Sequence, residues 1–216
     1  MARVAEAASP IDVHDLPRGR VAPREHFWNT PNTITMFRIA VVPVLLAVPF
    51  AQSQFACQVL AWCFIVAALS DILDGTLARW GRQVTHIGKL LDPLADKLLV
   101  STALIMLLAA GRFQWWAAWM VVVIVGRELA VTGLRGIASS HGHIMAASWV
   151  GKVKALTQNV AIAALLFHYD TLGIPAHSFG LTLLALATAL TLWSGYLYFA
   201  DYFGWRGPAE PDTSQP

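Results

Sequence analysis

The chain has 216 residues, of which 56% are hydrophobic and only 13% are charged. About a quarter of the residues are charged in an average soluble domain, so this composition excludes an ordinary soluble protein and indicates an integral membrane protein. The formal net charge of +2 is too small to favour a nucleic acid partner, and the two cysteines, Cys57 and Cys63, share one predicted helix at a spacing unsuited to a mutual disulfide.

The two ends of the chain differ in composition from the part between them. Residues 1–25 are polar, contain four arginines and lack the apolar run of a cleaved signal peptide. The chain closes with GPAEPDTSQP, a composition that cannot build a packed core. We therefore expect a flexible cytoplasmic arm over 1–25, a membrane domain over 26–204 and a disordered tail over 205–216.

Six apolar windows occupy the middle of the chain, separated by short polar breaks. A membrane-spanning helix needs roughly 20 mostly apolar residues. Short connections make helices that are adjacent in sequence run antiparallel, so the pattern predicts an all-α, six-transmembrane-helix bundle. The predicted spans are 33–52, 55–80, 87–111, 114–139, 148–168 and 178–203.

The basic residues set the expected orientation, because Lys and Arg concentrate on the cytoplasmic side of a membrane. With the N-terminus inside, fourteen of the fifteen Lys and Arg fall in cytoplasmic connections or the helix ends beside them, and only Arg112 falls outside. The sequence therefore predicts a multi-pass protein with both termini in the cytoplasm.

Four aspartates lie where the second predicted span ends and the third begins. Asp71 and Asp74 differ by about 60° around their helix, and Asp92 and Asp96 by about 40° around theirs, so each pair shares a face. Because the two helices are expected to be antiparallel neighbours, both pairs can converge near the inner membrane surface. A single Asp at a helix end is usually solvated or a cap, but four at paired spacings indicate a site.

Four carboxylates so close raise each other's pKa, so they must be protonated or bind cations. Oxygen ligands alone suit Mg²⁺, Mn²⁺ or Ca²⁺ rather than zinc, and two such ions form a clamp used in phosphoryl chemistry. Gly75 leaves room for a ligand against the backbone, and Arg79 and Thr85 offer donors to a phosphate.

The spacing of these residues resembles the signature D-x2-D-G-x2-A-R-x8-G-x3-D-x3-D of the CDP-alcohol phosphatidyltransferases. Every fixed position is filled, from Asp71 through Gly88 to Asp96. The resemblance extends over about residues 29–165, and stretches such as NTPNTITMFRIAVVPVLL, VGRELAVTGLR and SWVGKVKALTQ are similar to the bacterial phosphatidylglycerophosphate synthases within this family.

The resemblance implies a six-helix enzyme, commonly a homodimer, in the bacterial inner membrane. It would form phosphatidylglycerophosphate and CMP from CDP-diacylglycerol and glycerol 3-phosphate, the committed step toward phosphatidylglycerol and cardiolipin, with two Mg²⁺ or Mn²⁺ ions. Residues 26–204 would be its catalytic domain.

The resemblance also implies roles for individual residues. Asp71, Asp74, Asp92 and Asp96 would hold the ions, and Asp96 would be the general base on the acceptor hydroxyl. The expected contacts to CDP-diacylglycerol are Asn32, Thr35, Gly75, Ala78, Arg79 and Thr85.

Cations for the acceptor phosphate are expected on the fourth and fifth spans. Arg127 interrupts an apolar run, and Arg135 and Lys152 follow toward the same membrane face. An Arg at such depth faces the bundle rather than lipid and binds phosphate with two donors. We assign these three residues to glycerol 3-phosphate, although Arg135, Lys152 and Lys154 also fit ordinary anchors on anionic lipid. Arg38 on the first span has the same two interpretations.

Two alternatives remain open at this point. The acceptor could be serine, inositol phosphate or phosphatidylglycerol, or the carboxylates could line the path of a divalent-cation transporter. His141 and His143 form a polar loop with no acidic neighbour in sequence, which favours solvated side chains over a metal site.

Overall fold

A computed structural model describes residues 30–81, 86–143, 145, 148–170, 173 and 175–204, and of residues 30–31, 71–81 and 86–90 it describes the backbone alone. Within these ranges the regular structure is helical and contains no strand, which confirms the predicted all-α class. The helices are α1 (Thr30–Leu45), α2 (Gln54–Gly81), α3 (His86–Ala109), α4 (Ala118–Ser140), α5 (Trp149–Phe167) and α6 (Ala176–Gly204). Single 3₁₀ turns at Val48–Phe50 and Trp115–Ala117 precede α2 and α4. The predicted arm, the tail and their boundaries lie outside the described residues.

Local sequence fixes several helix ends. The Ser53 hydroxyl accepts a hydrogen bond from the Ala56 amide at 3.2 Å, and the Ser148 hydroxyl accepts one from Gly151 at 3.1 Å, so serines cap the first turns of α2 and α5. After α3, Gly111 takes a φ of +66° while the Arg112 amide bonds back to the Leu107 carbonyl. This is the Schellman pattern, in which glycine supplies the left-handed residue that ends a helix.

The helices form a ring in which the neighbours are α3, α1, α2, α5, α6, α4 and again α3. The contact between α5 and α6 is the most extensive, and α1 packs on both α2 and α3. Over the described residues α2 and α3 also contact each other directly, and both pack on α1.

The apolar core lies inside this ring. Phe64 of α2, Leu104 of α3, Ile124 of α4 and Leu165 of α5 have no exposed surface. A smaller cluster around Val131, Leu134, Ala138, Met145 and Tyr198 joins α4 to α6. The bundle therefore has two apolar clusters, a large one within the ring and a small one between α4 and α6.

Arg112 ties together the end of the bundle that carries the α3–α4 connection. Its side chain is buried and donates hydrogen bonds to the carbonyls of Leu166 at 3.1 Å and Ala51 at 2.8 Å, and to the Cys57 sulfur at 3.1 Å. Carbonyls in the last turn of a helix lack partners within the helix, so the guanidinium caps α5. The arginine that the sequence assigns to the outer side is thus a structural link between helices.

Three segments are long and apolar enough to cross a membrane, namely Trp115–Ser140, α5 and α6. Among the described side chains, Asn32–Leu45 and Gln54–Ser70 are shorter apolar helices, and α3 carries Asp92, Asp96 and Lys97 near its start. The chain is therefore a membrane protein by its helices, and the count of six spans stays a prediction.

Candidate active site

A cavity of about 250 Å³ opens between α3, α4, α5 and α6. It brings together four residues singled out in the sequence, Asp96, Arg127, Arg135 and Lys152. Five cationic side chains and two carboxylates line it, a formal excess of three positive charges: Lys97, Arg127, Arg135, Lys152 and Lys154 against Asp96 and Glu128. A low-dielectric cavity with this charge attracts a small anion.

Glu128 is the centre of the charged network in this cavity. Its Oε2 lies 3.3 Å from Lys97 Nζ, and its Oε1 lies 3.2 Å from Arg127 Nη1 and also accepts a hydrogen bond from Lys154. The Glu128 side chain is 15% exposed, and Lys154 is only 4% exposed. One carboxylate therefore holds cations from α3, α4 and α5 around a single point.

Arg127 is held on its other side by α6. Its Nη2 donates to the Ser194 hydroxyl at 2.8 Å, and its guanidinium carbon lies 5.5 Å from the centre of the Tyr198 ring. A Cβ at Gly195 would lie 3.2 Å from Arg127 Cγ, so the glycine makes room for the arginine stem. The arginine expected inside the bundle is therefore in place, fixed by contacts that only the folded structure supplies.

Tyr198 also positions the start of α5. Its hydroxyl accepts a hydrogen bond from the Ser148 amide at 3.1 Å, and a Cβ at Gly151 would lie 3.7 Å from the same hydroxyl. Lys152 follows directly and is exposed at the rim of the cavity, as is Arg135. The exposed pair thus forms the entrance, whereas Arg127 lies within.

Helix α1 contributes buried polar residues that face α3. Asn32, Thr35 and Arg38 are each at most 2% exposed. Thr35 donates a hydrogen bond to Asp92 Oδ1, and Arg38 Nη2 lies 3.5 Å from the same oxygen. Two side chains of α1 therefore anchor this carboxylate through Oδ1.

The remaining predicted site residues lie outside the described side chains. They are Asp71, Asp74, Gly75, Ala78 and Arg79, whose backbone belongs to α2, and Thr85. Among the side chains that are described, no three His, Cys, Asp or Glu residues gather as a metal site. The donor set expected for the ions is oxygen alone, and the partly exposed carboxylate of Asp92 is of the type that a hard divalent cation prefers.

The loop between α4 and α5 corrects one expectation. His143 Nε2 lies 3.3 Å from Asp201 Oδ2 near the end of α6, so this histidine has an acidic partner that is remote in sequence. His141 instead bonds through Nδ1 to the Ile137 carbonyl of its own helix at 2.8 Å. The contact between His143 and Asp201 therefore links the loop to α6.

Several residues of the site were not singled out from sequence. Glu128 and Lys97 had no assigned role, and Arg38 and Lys154 were left ambiguous. Their signal was present in part, since a charged residue inside an apolar run needs a partner within the bundle. The identity of that partner could not be read from spacing, because Glu128 is 31 positions from Lys97 and 26 from Lys154.

Comparison with known proteins identifies this architecture. The sequence profile of the CDP-alcohol phosphatidyltransferase family matches residues 28–193, which begins before α1 and ends within α6. The chain belongs to this family. The CDP-alcohol phosphatidyltransferase match includes the whole aspartate signature and most of the residues that line the cavity, so the family expected from the sequence is confirmed.

Relatives within the CDP-alcohol phosphatidyltransferases share one name. A Bacillus subtilis (strain 168) protein named CDP-diacylglycerol–glycerol-3-phosphate 3-phosphatidyltransferase is 40% identical over 185 residues, covering 80% of this chain and 94% of that protein. Proteins of the same name from Salmonella choleraesuis (strain SC-B67) and Yersinia pestis (strain Pestoides F) are each 36% identical. They cover 80% and 85% of the chain, and 94% and 98% of their own lengths. The similarity therefore extends over nearly the whole length of each of these relatives.

Proposed function

We propose that the chain transfers a phosphatidyl group from CDP-diacylglycerol to glycerol 3-phosphate, giving phosphatidylglycerophosphate and CMP. The observation that carries this proposal is the cavity in which Asp96 shares the lining with Arg127, Arg135 and Lys152. A carboxylate that can take a proton is combined there with cations that can hold a phosphate dianion. The name shared by the relatives supports the same reaction.

In the reaction, the acceptor's primary hydroxyl oxygen bonds to the β-phosphorus of CDP-diacylglycerol and the bond to CMP breaks. Asp96 takes the hydroxyl proton, and this residue contributes more through its position than through its basicity. Arg127, Arg135 and Lys152 hold the acceptor phosphate and orient the hydroxyl. Glu128 keeps Lys97, Arg127 and Lys154 from separating as the anion enters.

The nucleotide side of the site is assigned to the signature region and α1. Asn32, Thr35, Gly75, Ala78, Arg79 and Thr85 would contact CDP-diacylglycerol. Asp71, Asp74, Asp92 and Asp96 would hold two Mg²⁺ or Mn²⁺ ions. Such ions, when bound, neutralise the charge that develops on a diphosphate leaving group.

The reaction also fits a particular placement in the membrane. We propose six crossings, with both termini in the cytoplasm of a bacterium, the cavity at the inner face and a homodimer as the working unit. A site at that interface is open to a lipid whose tails remain in the bilayer and to a small anion from the cytosol. The positive-inside distribution of Lys and Arg supports this orientation.

Purified protein in detergent, with labelled CDP-diacylglycerol, tests the reaction. Glycerol 3-phosphate, serine, inositol phosphate and phosphatidylglycerol are offered separately, and CMP and lipid products are measured. We expect product only with glycerol 3-phosphate, loss of activity on chelation of divalent ions with recovery in Mg²⁺ or Mn²⁺, and no turnover by Asp96→Asn. Product from a different alcohol would overturn the assigned acceptor, and normal turnover by Asp96→Asn would overturn its role. CMP release in detergent, without a membrane gradient, also separates an enzyme from a cation transporter.

A further inference from the structure

Gln158 of α5 is a buried polar residue that the reaction scheme does not yet use. Its side chain is 3% exposed, and within the described part of the chain its Oε1 has no hydrogen-bond partner. An unsatisfied buried carbonyl destabilises the folded protein, so such an atom calls for an explanation. A donor on a bound ligand is one explanation that the surroundings support.

Those surroundings are a second, smaller cavity of about 50 Å³ that adjoins the first. Both cavities are lined by Asp96, Lys97, Glu128, Lys154 and Ala155, and the smaller one adds Val100, the buried Gln158 and the less buried Asn159. Val100 and Gln158 are each one helical turn beyond Asp96 and Lys154 on their own helices. The small cavity is therefore the deep end of the cationic site, with room for about one hydroxyl-bearing carbon or a water molecule.

The charges around this deep end select the type of group that can enter it. Glu128 already pairs with both ammonium groups at its rim, with Lys97 Nζ at 3.3 Å from Oε2 and Lys154 on Oε1, and Asp96 adds a second carboxylate to the lining. An additional charge there would lack a counter-ion, whereas a neutral hydroxyl needs only an acceptor for its proton. The unpartnered amide oxygen of Gln158 is that acceptor.

We propose that Gln158 determines acceptor specificity by accepting a hydrogen bond from the secondary hydroxyl of glycerol 3-phosphate. This inference rests on the proposed function. With the phosphate among the arginines and the primary hydroxyl at Asp96, the middle carbon lies between them, beside the deep cavity that Asp96 and Gln158 both line. A site built to bond a hydroxyl discriminates against an analogue that lacks it.

The test compares two acceptors, glycerol 3-phosphate and 3-hydroxypropyl phosphate, which lacks only the secondary hydroxyl. The measured quantity is the ratio of their kcat/KM values in wild type and Gln158→Leu. We expect a wild-type preference of about tenfold or more for glycerol 3-phosphate, because one lost hydrogen bond is worth about that much. In Gln158→Leu the preference should fall below about threefold, mainly through loss on glycerol 3-phosphate.

Thr157→Val is the matched control. Thr157 lies next to Gln158 on α5, donates a hydrogen bond to the Val153 carbonyl of its own helix at 2.9 Å and lines neither cavity, so this variant should keep the wild-type ratio. If Gln158→Leu does not elute as a folded protein in size-exclusion chromatography, Gln158→Asn, whose shorter amide withdraws the acceptor, should lower the ratio likewise.

A merely structural Gln158 would lower both kcat/KM values equally and leave their ratio unchanged, which overturns the inference. A wild-type protein that uses glycerol 3-phosphate without preferring it to the analogue overturns the inference and leaves the proposed function standing. A wild type that uses neither acceptor overturns the proposed function itself.

Discussion

At the scale of single residues, Glu128 holds together three cations that would otherwise repel one another. Lys97, Arg127 and Lys154 reach it from three helices, with Nζ of Lys97 at 3.3 Å and Nη1 of Arg127 at 3.2 Å. The network is mostly buried, so solvent screens these charges less than it would at a surface. Glu128 therefore fixes the positions of the three cationic groups before an anion binds.

Glu128→Gln keeps the shape of the side chain and removes its charge. We expect kcat/KM for glycerol 3-phosphate to fall by about tenfold to a hundredfold, because a displacement of catalytic groups by about 1 Å costs on that order. The unfolding temperature should fall as well, since uncompensated buried cations are destabilising. Steady-state kinetics and thermal unfolding in detergent check both. The control Asp170→Asn removes an exposed acid at the other end of the bundle, and equal effects of the two changes would contradict the network's role.

A motif or an isolated charge in the sequence marked four of the residues that the structure brings together, and their roles stay predictions. Asp96, Arg127, Arg135 and Lys152 line one cavity, as their placement near one membrane face suggested. Glu128 was missed because an acid next to an arginine reads as a local pair, and nothing in the chain reveals that Lys97 and Lys154 also reach it. Buried polar contacts depend on which helix faces which, and spacing within a helix does not give that.

At the scale of helices, the α5–α6 contact depends on Gly180. A Cβ there would lie 2.8 Å from Leu165 Cγ, 3.0 Å from the Leu165 amide nitrogen and 3.1 Å from the Ala161 carbonyl oxygen. Two of these atoms are backbone, which cannot move aside as a side chain can. Small residues let membrane helices approach closely, so Gly180 sets the separation of the most extensively packed pair.

Gly180→Ala should push α6 from α5 and destabilise the protein by about 1–3 kcal/mol, as overpacking in a close-packed interior does. The measurement is thermal unfolding in detergent. Gly133→Ala is the matched control, because Gly133 lies within α4 with nothing within 4 Å of its added methyl group. Alanine favours helix over glycine by up to about 1 kcal/mol, so the control should be neutral or stabilising. If Gly180→Ala unfolded at the same temperature as Gly133→Ala, the α5–α6 contact would not depend on a glycine at position 180.

The helices themselves could be predicted closely, but their partners could not. The predicted span 55–80 corresponds to α2 at Gln54–Gly81, and the span 148–168 to α5 at Trp149–Phe167. Apolar length and turn residues carry this information. The position of α1 against both α2 and α3 is not encoded in periodicity, because helices in lipid are apolar on nearly every side and their patterns do not distinguish a helix neighbour from lipid.

At the scale of the whole molecule, the two ends of the bundle carry different chemistry. The end with the cavity is charged, whereas the other end is tied by Arg112 and bears His168 directly after α5. Burial lowers the pKa of His168, and the charges of Arg112 and His177 lower it further. Its φ of +61° and the hydrogen bond from the Tyr169 amide to the Phe167 carbonyl at 2.6 Å place it at the centre of a tight turn.

This lowered pKa makes stability depend on pH with a definite sign. The unfolded chain, with an ordinary histidine pKa of about 6.5, binds a proton more readily than the folded one, so folding loses stability as pH falls through that value. We expect the unfolding temperature of wild type to drop more between pH 7.5 and 5.5 than that of His168→Asn. Asparagine accepts a positive φ and does not titrate. Parallel decreases in the two proteins would assign the pH dependence to other histidines.

Tyr198 has a consequence for how the cavity can change shape. The ring faces the guanidinium of Arg127 on α4, and the hydroxyl accepts the amide at the start of α5. A rotation of α6 would therefore disturb both contacts at once. The last turns of the final helix thus couple the α4 wall of the cavity to its α5 wall, so a change in one wall is transmitted to the other.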